Sequence, residues 1–230
     1  MEPSTMITPF YFAVTASVTL LICGFLSQFI KISRNGLSIL QHFAAGIIFS
    51  AVAVELIPKL LESELKWDIA IGFLLGLFCM LLFRLIGERE SSPAALITGY
   101  GVDLWIDGIL IALAYLASER SGLIITGALC LEVAFLAFAL MPTLRYRGAS
   151  SIVQLITVSI LAALIPMGTV MGYAVIHHLP EGYYEATLAF GVAALLFLVT
   201  EELLYEAHEK PDSIIGTAAF FVGFLIILLF

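Results

Sequence analysis

Eight apolar runs, each of about the 20 residues that a helix needs to cross ~30 Å of hydrocarbon, follow one another with almost nothing between them. They cover roughly 7–30, 37–57, 68–86, 94–117, 122–141, 151–176, 184–205 and 213–230. The connections are punctuators such as Arg34-Asn35-Gly36, Glu90-Ser91-Ser92-Pro93, Arg147-Gly148 and Lys210-Pro211-Asp212, too brief to hold a soluble domain. Lipid offers the backbone no hydrogen bonds, and the runs lack the period-two alternation of barrel strands, so each must close its own hydrogen bonds as a helix. Residues 1–230 therefore read as a single transmembrane domain, an all-α integral membrane protein built as an eight-helix bundle. A hydrophobic content of 61% against 12% charged residues, with mean hydropathy +1.09, excludes an ordinary soluble enzyme. The net charge of −8 excludes nucleic acid as a partner; the bilayer is the first partner.

The ten basic residues divide unequally between the two faces. Lys31, Arg34, Arg84, Arg89, Arg145, Arg147 and Lys210 share one, and Lys59, Lys66 and Arg120 the other. The richer face is expected in the cytoplasm, which places both termini outside a cell membrane. The first span has no basic leader and exceeds a signal-peptide core, so it is expected to be retained. Cys23, Cys79 and Cys130 are odd in number and lie inside apolar runs, so they imply no disulfide framework. Span two, from Ala45-Gly46 to Glu55-Leu56-Ile57-Pro58, is echoed by span seven, which ends in Glu202-Leu203-Leu204-Tyr205. The two would cross in opposite directions, as the halves of an inverted repeat of spans 1–3 and 6–8 around spans 4–5 would.

Three carboxylates interrupt the apolar spans. Asp103 and Asp107 are four apart in span four, so a helix stacks them on one face. Glu132 sits near the middle of antiparallel span five, at a depth comparable to Asp107. An ionised group at mid-bilayer is disfavoured by about 2.5–3.5 kcal/mol on insertion scales, so three together must be paired, protonated or bound to a cation. Oxygen donors from two adjacent helices suit a metal ion whose shell is completed by water or a carbonyl. The competing reading is a protonated polar seam. Gly99, Gly101 and Gly108 would let neighbouring helices approach closely there. Peripheral candidates are Glu55 near the outer end of span two, His177, His178 and Glu181 at the outer mouth, and Glu202, Glu206 and His208 at the cytoplasmic end of span seven. His177 to Gly182 has ligand-like spacing but is expected to be a turn outside the membrane.

The order of these features resembles the ZIP (zinc- and iron-regulated transporter-like) family of divalent metal transporters. Phe43-Ala44-Ala45-Gly46 in span two, Pro166-Met167-Gly168 followed by Gly172-Tyr173 in span six, and Leu196-Phe197 through Glu202-Leu203-Leu204-Tyr205-Glu206 in span seven are similar to family segments. Where the family carries His-Asn-x-x-Glu-Gly in span four, this chain has Asp103-Leu104-Trp105-Ile106-Asp107-Gly108. Leu104, Leu131, Phe135 and Ile165 stand at further family ligand positions and can bind nothing. The resemblance implies a binuclear site reduced to one mononuclear position on Asp103, Asp107 and Glu132, eight spans with outward termini, and a homodimer.

The expected function is passage of a divalent cation (zinc, iron or manganese) toward the cytoplasm, with the ion as transported substrate, no resident cofactor and no catalysis. A transport-inactive metal sensor or partner protein is the alternative, supported by Leu104, Phe135 and Ile165. An intramembrane metal-dependent hydrolase is a third reading. It is opposed by the histidines, because His42 and His208 fall on the cytoplasmic side and His177 and His178 on the other.

Overall fold

The protein is described by a computed structural model covering residues 4–30, 32–87, 93–179, 183–207 and 214–229. All regular structure among these residues is helical. We number the crossings α1 (Ser4–Leu26), α2 (Arg34–Ala51, continued by Val52–Leu56 and Ile57–Glu62), α3 (Lys66–Gly87), α4 (Pro93–Ala117), α5 (Glu119–Tyr146), α6 (Ser151–His178), α7 (Tyr184–Phe197, continued by Leu198–Leu203 and Leu204–Ala207) and α8 (Ile214–Leu229). Seven are long and apolar enough to cross a membrane, which makes this a multi-pass membrane bundle. The eighth has 16 described residues, about 24 Å of helix at 1.5 Å per residue.

Local chemistry sets the helix ends. Ser33, Ser118 and Ser150 cap α2, α5 and α6 by accepting from the backbone N–H of Gly36, Ser121 and Val153. Between α5 and α6, Gly148 adopts φ +86°, the left-handed conformation that ends a helix, and Ala149 N–H reaches back to the Leu144 carbonyl. Hydroxyls within the spans bond to their own helices, as Thr15 does to Tyr11, Thr143 to Ala139 and Ser159 to Leu155. Each satisfies its hydroxyl donor without needing water.

Several boundaries differ from the sequence reading. Span one ends at Leu26 rather than 30, and span five extends at both ends to Glu119 and Tyr146, with Pro142 inside it. Span two does not stop before Pro58 but continues to Glu62. A π-helical turn at Val52–Leu56 directly precedes the segment that carries Pro58 in its first turn, a position where the missing N–H is tolerated. The only other π-helical turn among the described residues is at Leu198–Leu203 in α7.

The helices sort into two groups. In one, α5 packs on α1 and α4, and α6 packs on α1, α4 and α5; in the other, α2 packs on α8 and α7, and α3 on α7. The groups meet where α2 lies on α5, and α4 on α7 and α3. Close backbone approach fixes the strongest pairings. A side chain on Gly46 would overlap the Phe220 carbonyl of α8, and one on Gly223 the Phe43 carbonyl of α2. Gly108 and Gly168 do the same for α4 against α6, where Thr169 Oγ donates to the Gly108 carbonyl at 2.8 Å. Of the three span-four glycines expected to permit close approach, only Gly108 brings two backbones together. Gly101 meets the Leu164 side chain, and Gly99 has nothing within 4 Å. Thr169→Val keeps the shape and removes the interhelical bond. It is expected to lower unfolding free energy in detergent by about 1 kcal/mol, within the range for such bonds in membranes, as a small drop in Tm.

Candidate metal site

A single residue, Ser118, separates α4 from α5, so the two helices return side by side. Gly122 seats against the Tyr115 backbone and holds them close at that turn. Further along, Asp103 and Asp107 project from α4 toward Glu132 of α5, and one oxygen from each lies within 4.8 Å of the others. Metal–oxygen bonds of roughly 2.0–2.6 Å place ligands on opposite sides of an ion ~4–5 Å apart, so the three can share one cation. Among the described residues this is where three or more His, Cys, Asp and Glu side chains converge.

The burial of the cluster is what makes it chemically demanding. Asp107 is 1% exposed and Glu132 5%, with Asp103 half-buried. Neither carboxylate oxygen of Asp107 has a hydrogen-bond partner. Two unit charges 4.8 Å apart repel by about 3 kcal/mol at an effective dielectric near 20. A cation or a proton placed among the three oxygens removes that repulsion. The donor set is all oxygen, which favours hard and borderline divalent ions over thiophilic ones.

The positions that the family resemblance marks as lost are packed away. Leu104 and Ile165 are fully buried and Phe135 nearly so. The Ile165 carbonyl also lies against Gly108, so α6 backbone fills the space beside Asp107.

Among the described residues, no peripheral candidate joins the cluster. His177 and His178 form the exposed last turn of α6, correcting their expected place in a turn; His177 stacks on Tyr173 with ring centroids 5.8 Å apart. Glu202 lies in the π-helical turn of α7, beside Glu201, which pairs with Arg84 of α3. Glu181 and His208 lie outside the described residues, as does the side chain of Glu206. Cys23, Cys79 and Cys130 are free thiols.

Glu55 belongs to a separate polar network where α2 meets α5. Arg120 Nε lies 3.1 Å from its Oε1, and Ser121 Oγ donates to Oε2 at 3.2 Å. Lys59 Nζ donates to both Ser118 Oγ and Ser121 Oγ, at 3.1 and 2.9 Å. Arg120, Ser118 and Ser121 carry no motif that marks them in the sequence. The available signal was Ser118 as a capping residue beside the one-residue turn.

No protein-family model matches the chain, and no curated protein is significantly similar to it.

Proposed function

We propose that the protein is a ZIP-like divalent-cation transporter carrying zinc, ferrous iron or manganese toward the cytoplasm. The observation that carries this reading is the convergence of Asp103, Asp107 and Glu132 midway along two apolar helices, with both Asp107 oxygens buried and unpartnered. A group in that state needs a positive partner, and a transported ion supplies it. The pairing pattern supports an inverted repeat. Exchanging α1 with α6, α2 with α7, α3 with α8 and α4 with α5 turns the α2–α8 contact into α7–α3, α1–α5 into α6–α4, and α2–α5 into α7–α4. The two π-helical turns exchange as well. Two helix groups that meet along α2–α5 and α4–α7 could rock against each other to expose the site alternately. The lysine and arginine bias orients the α2–α5 network outward, with both termini extracytoplasmic in a cell membrane, and the family resemblance adds a homodimer.

The second reading, a transport-inactive sensor or partner, draws on the apolar packing of Leu104, Phe135 and Ile165. Metal content and flux separate the two. Purified protein should hold close to one manganese or zinc ion per chain, lose it in Glu132→Gln, and carry the ion into proteoliposomes. Binding without flux selects the sensor; absence of both removes the site.

A further inference from the structure

We infer that Glu55, with the Ser118 and Ser121 hydroxyls, is a receiving site for a hard divalent cation at the α2–α5 mouth, and that Arg120 and Lys59 are tethered counter-cations which the arriving ion displaces. This rests on the transport reading for its biological purpose but on different residues for its chemistry. The oxygens are arranged as a cation shell: one carboxylate and two hydroxyls, with the hydroxyl oxygens 2.7 Å apart and Ser121 bonded to Glu55. The protein's own cations occupy it. The Arg120 guanidinium sits on Glu55 Oε1, and the Lys59 ammonium bridges the two hydroxyls.

The exposures give the exchange a direction. The Glu55 side chain is 11% exposed and Ser121 is buried, whereas the Arg120 side chain is 57% exposed. The anion is thus held within the α2–α5 junction, and its partner is a long side chain that can swing into water. An exposed guanidinium is held by only a modest free energy, so a divalent ion with twice its charge can compete for the same carboxylate. The contacts also join the two helix groups, because Glu55 and Lys59 belong to α2, Arg120 and Ser121 to α5, and Ser118 to the turn before α5. Displacing Arg120 and Lys59 therefore loosens the outer junction when an ion has arrived. The junction stays closed when none has.

The test uses the full chain in detergent with Cys23, Cys79 and Cys130 replaced by alanine and with Glu62→Cys and Glu119→Cys, two exposed positions flanking the junction, introduced, leaving Glu55, Lys59, Ser118, Arg120 and Ser121 in place. A short bifunctional methanethiosulfonate should cross-link the pair. Arg120→Gln should slow cross-linking at least five-fold, and Arg120→Lys should retain most of the rate. Millimolar manganese should slow it several-fold relative to sodium chloride of equal ionic strength, and Glu55→Gln should abolish that effect. The manganese effect should survive Asp107→Asn, so failure of the central site and failure of this one are distinguishable. If the cysteine-substituted chain does not fold, hydrogen exchange on the unsubstituted protein serves, with manganese accelerating exchange of residues 118–122. An unchanged rate in Arg120→Gln, or no manganese effect at matched ionic strength in either measurement, overturns the proposal.

Discussion

Asp107→Asn is expected to lower manganese or zinc uptake into proteoliposomes by about 100-fold or more while leaving Tm in chelator unchanged or raised. The two effects have one cause. Asp107 contributes a fully buried carboxylate whose oxygens bond to nothing else in the protein, so its charge opposes folding unless an ion or proton is present. Removing groups that merely support metal ligands already lowers affinity by about 10- to 100-fold, and removal of a ligand should exceed that. Asn keeps the shape, so packing against α5 and α6 survives. A parallel loss of Tm and uptake would assign Asp107 to folding, and undiminished uptake would remove it from the path.

Gly46→Leu and Gly108→Leu should each destabilise the protein by at least ~3 kcal/mol and sharply reduce the yield of monodisperse protein in detergent. At both positions the first side-chain carbon would overlap a carbonyl oxygen of the facing helix, Phe220 for Gly46 and Ile165 for Gly108. Backbone cannot step aside as a flexible side chain can, so the helices must separate, and the cost exceeds the ~1–3 kcal/mol of ordinary overpacking. Gly99→Leu and Gly127→Leu are the controls, since neither glycine has a neighbour within 4 Å. They should shift stability by no more than ~0.5 kcal/mol. Equal effects at all four positions would mean that the α2–α8 and α4–α6 approaches are not as close as described.

The same glycines show where sequence reading stops. Gly99, Gly101 and Gly108 look alike on the page, and the reason that one of them seats α6 lies in Ile165 and Gly168, some 60 residues away. Pro58 reads as the end of a helix, because the rule for proline assumes a regular turn before it. The helix instead runs on through Pro58 to Glu62 after a π-helical turn at Val52–Leu56, and Lys59 reaches the Ser118–Ser121 pair. In the sequence, residue type and a shared membrane face are all that single out the peripheral acids and histidines. Glu55 instead takes a basic partner, and His177 and His178 take the end of α6.

The sequence by itself determined the class of protein, the number and approximate limits of the apolar helices, and the shared face of Asp103 and Asp107. These follow from hydropathy and helical period, which depend on residues within one or two turns of each other. How the helices pack brings Glu132 to the same point, buries Ile165 and Phe135, and sets Arg120 on Glu55. Those outcomes depend on how far each helix is rotated and how near its neighbour it lies. Backbone contacts between small residues distant in the chain set both quantities, and no local pattern records them.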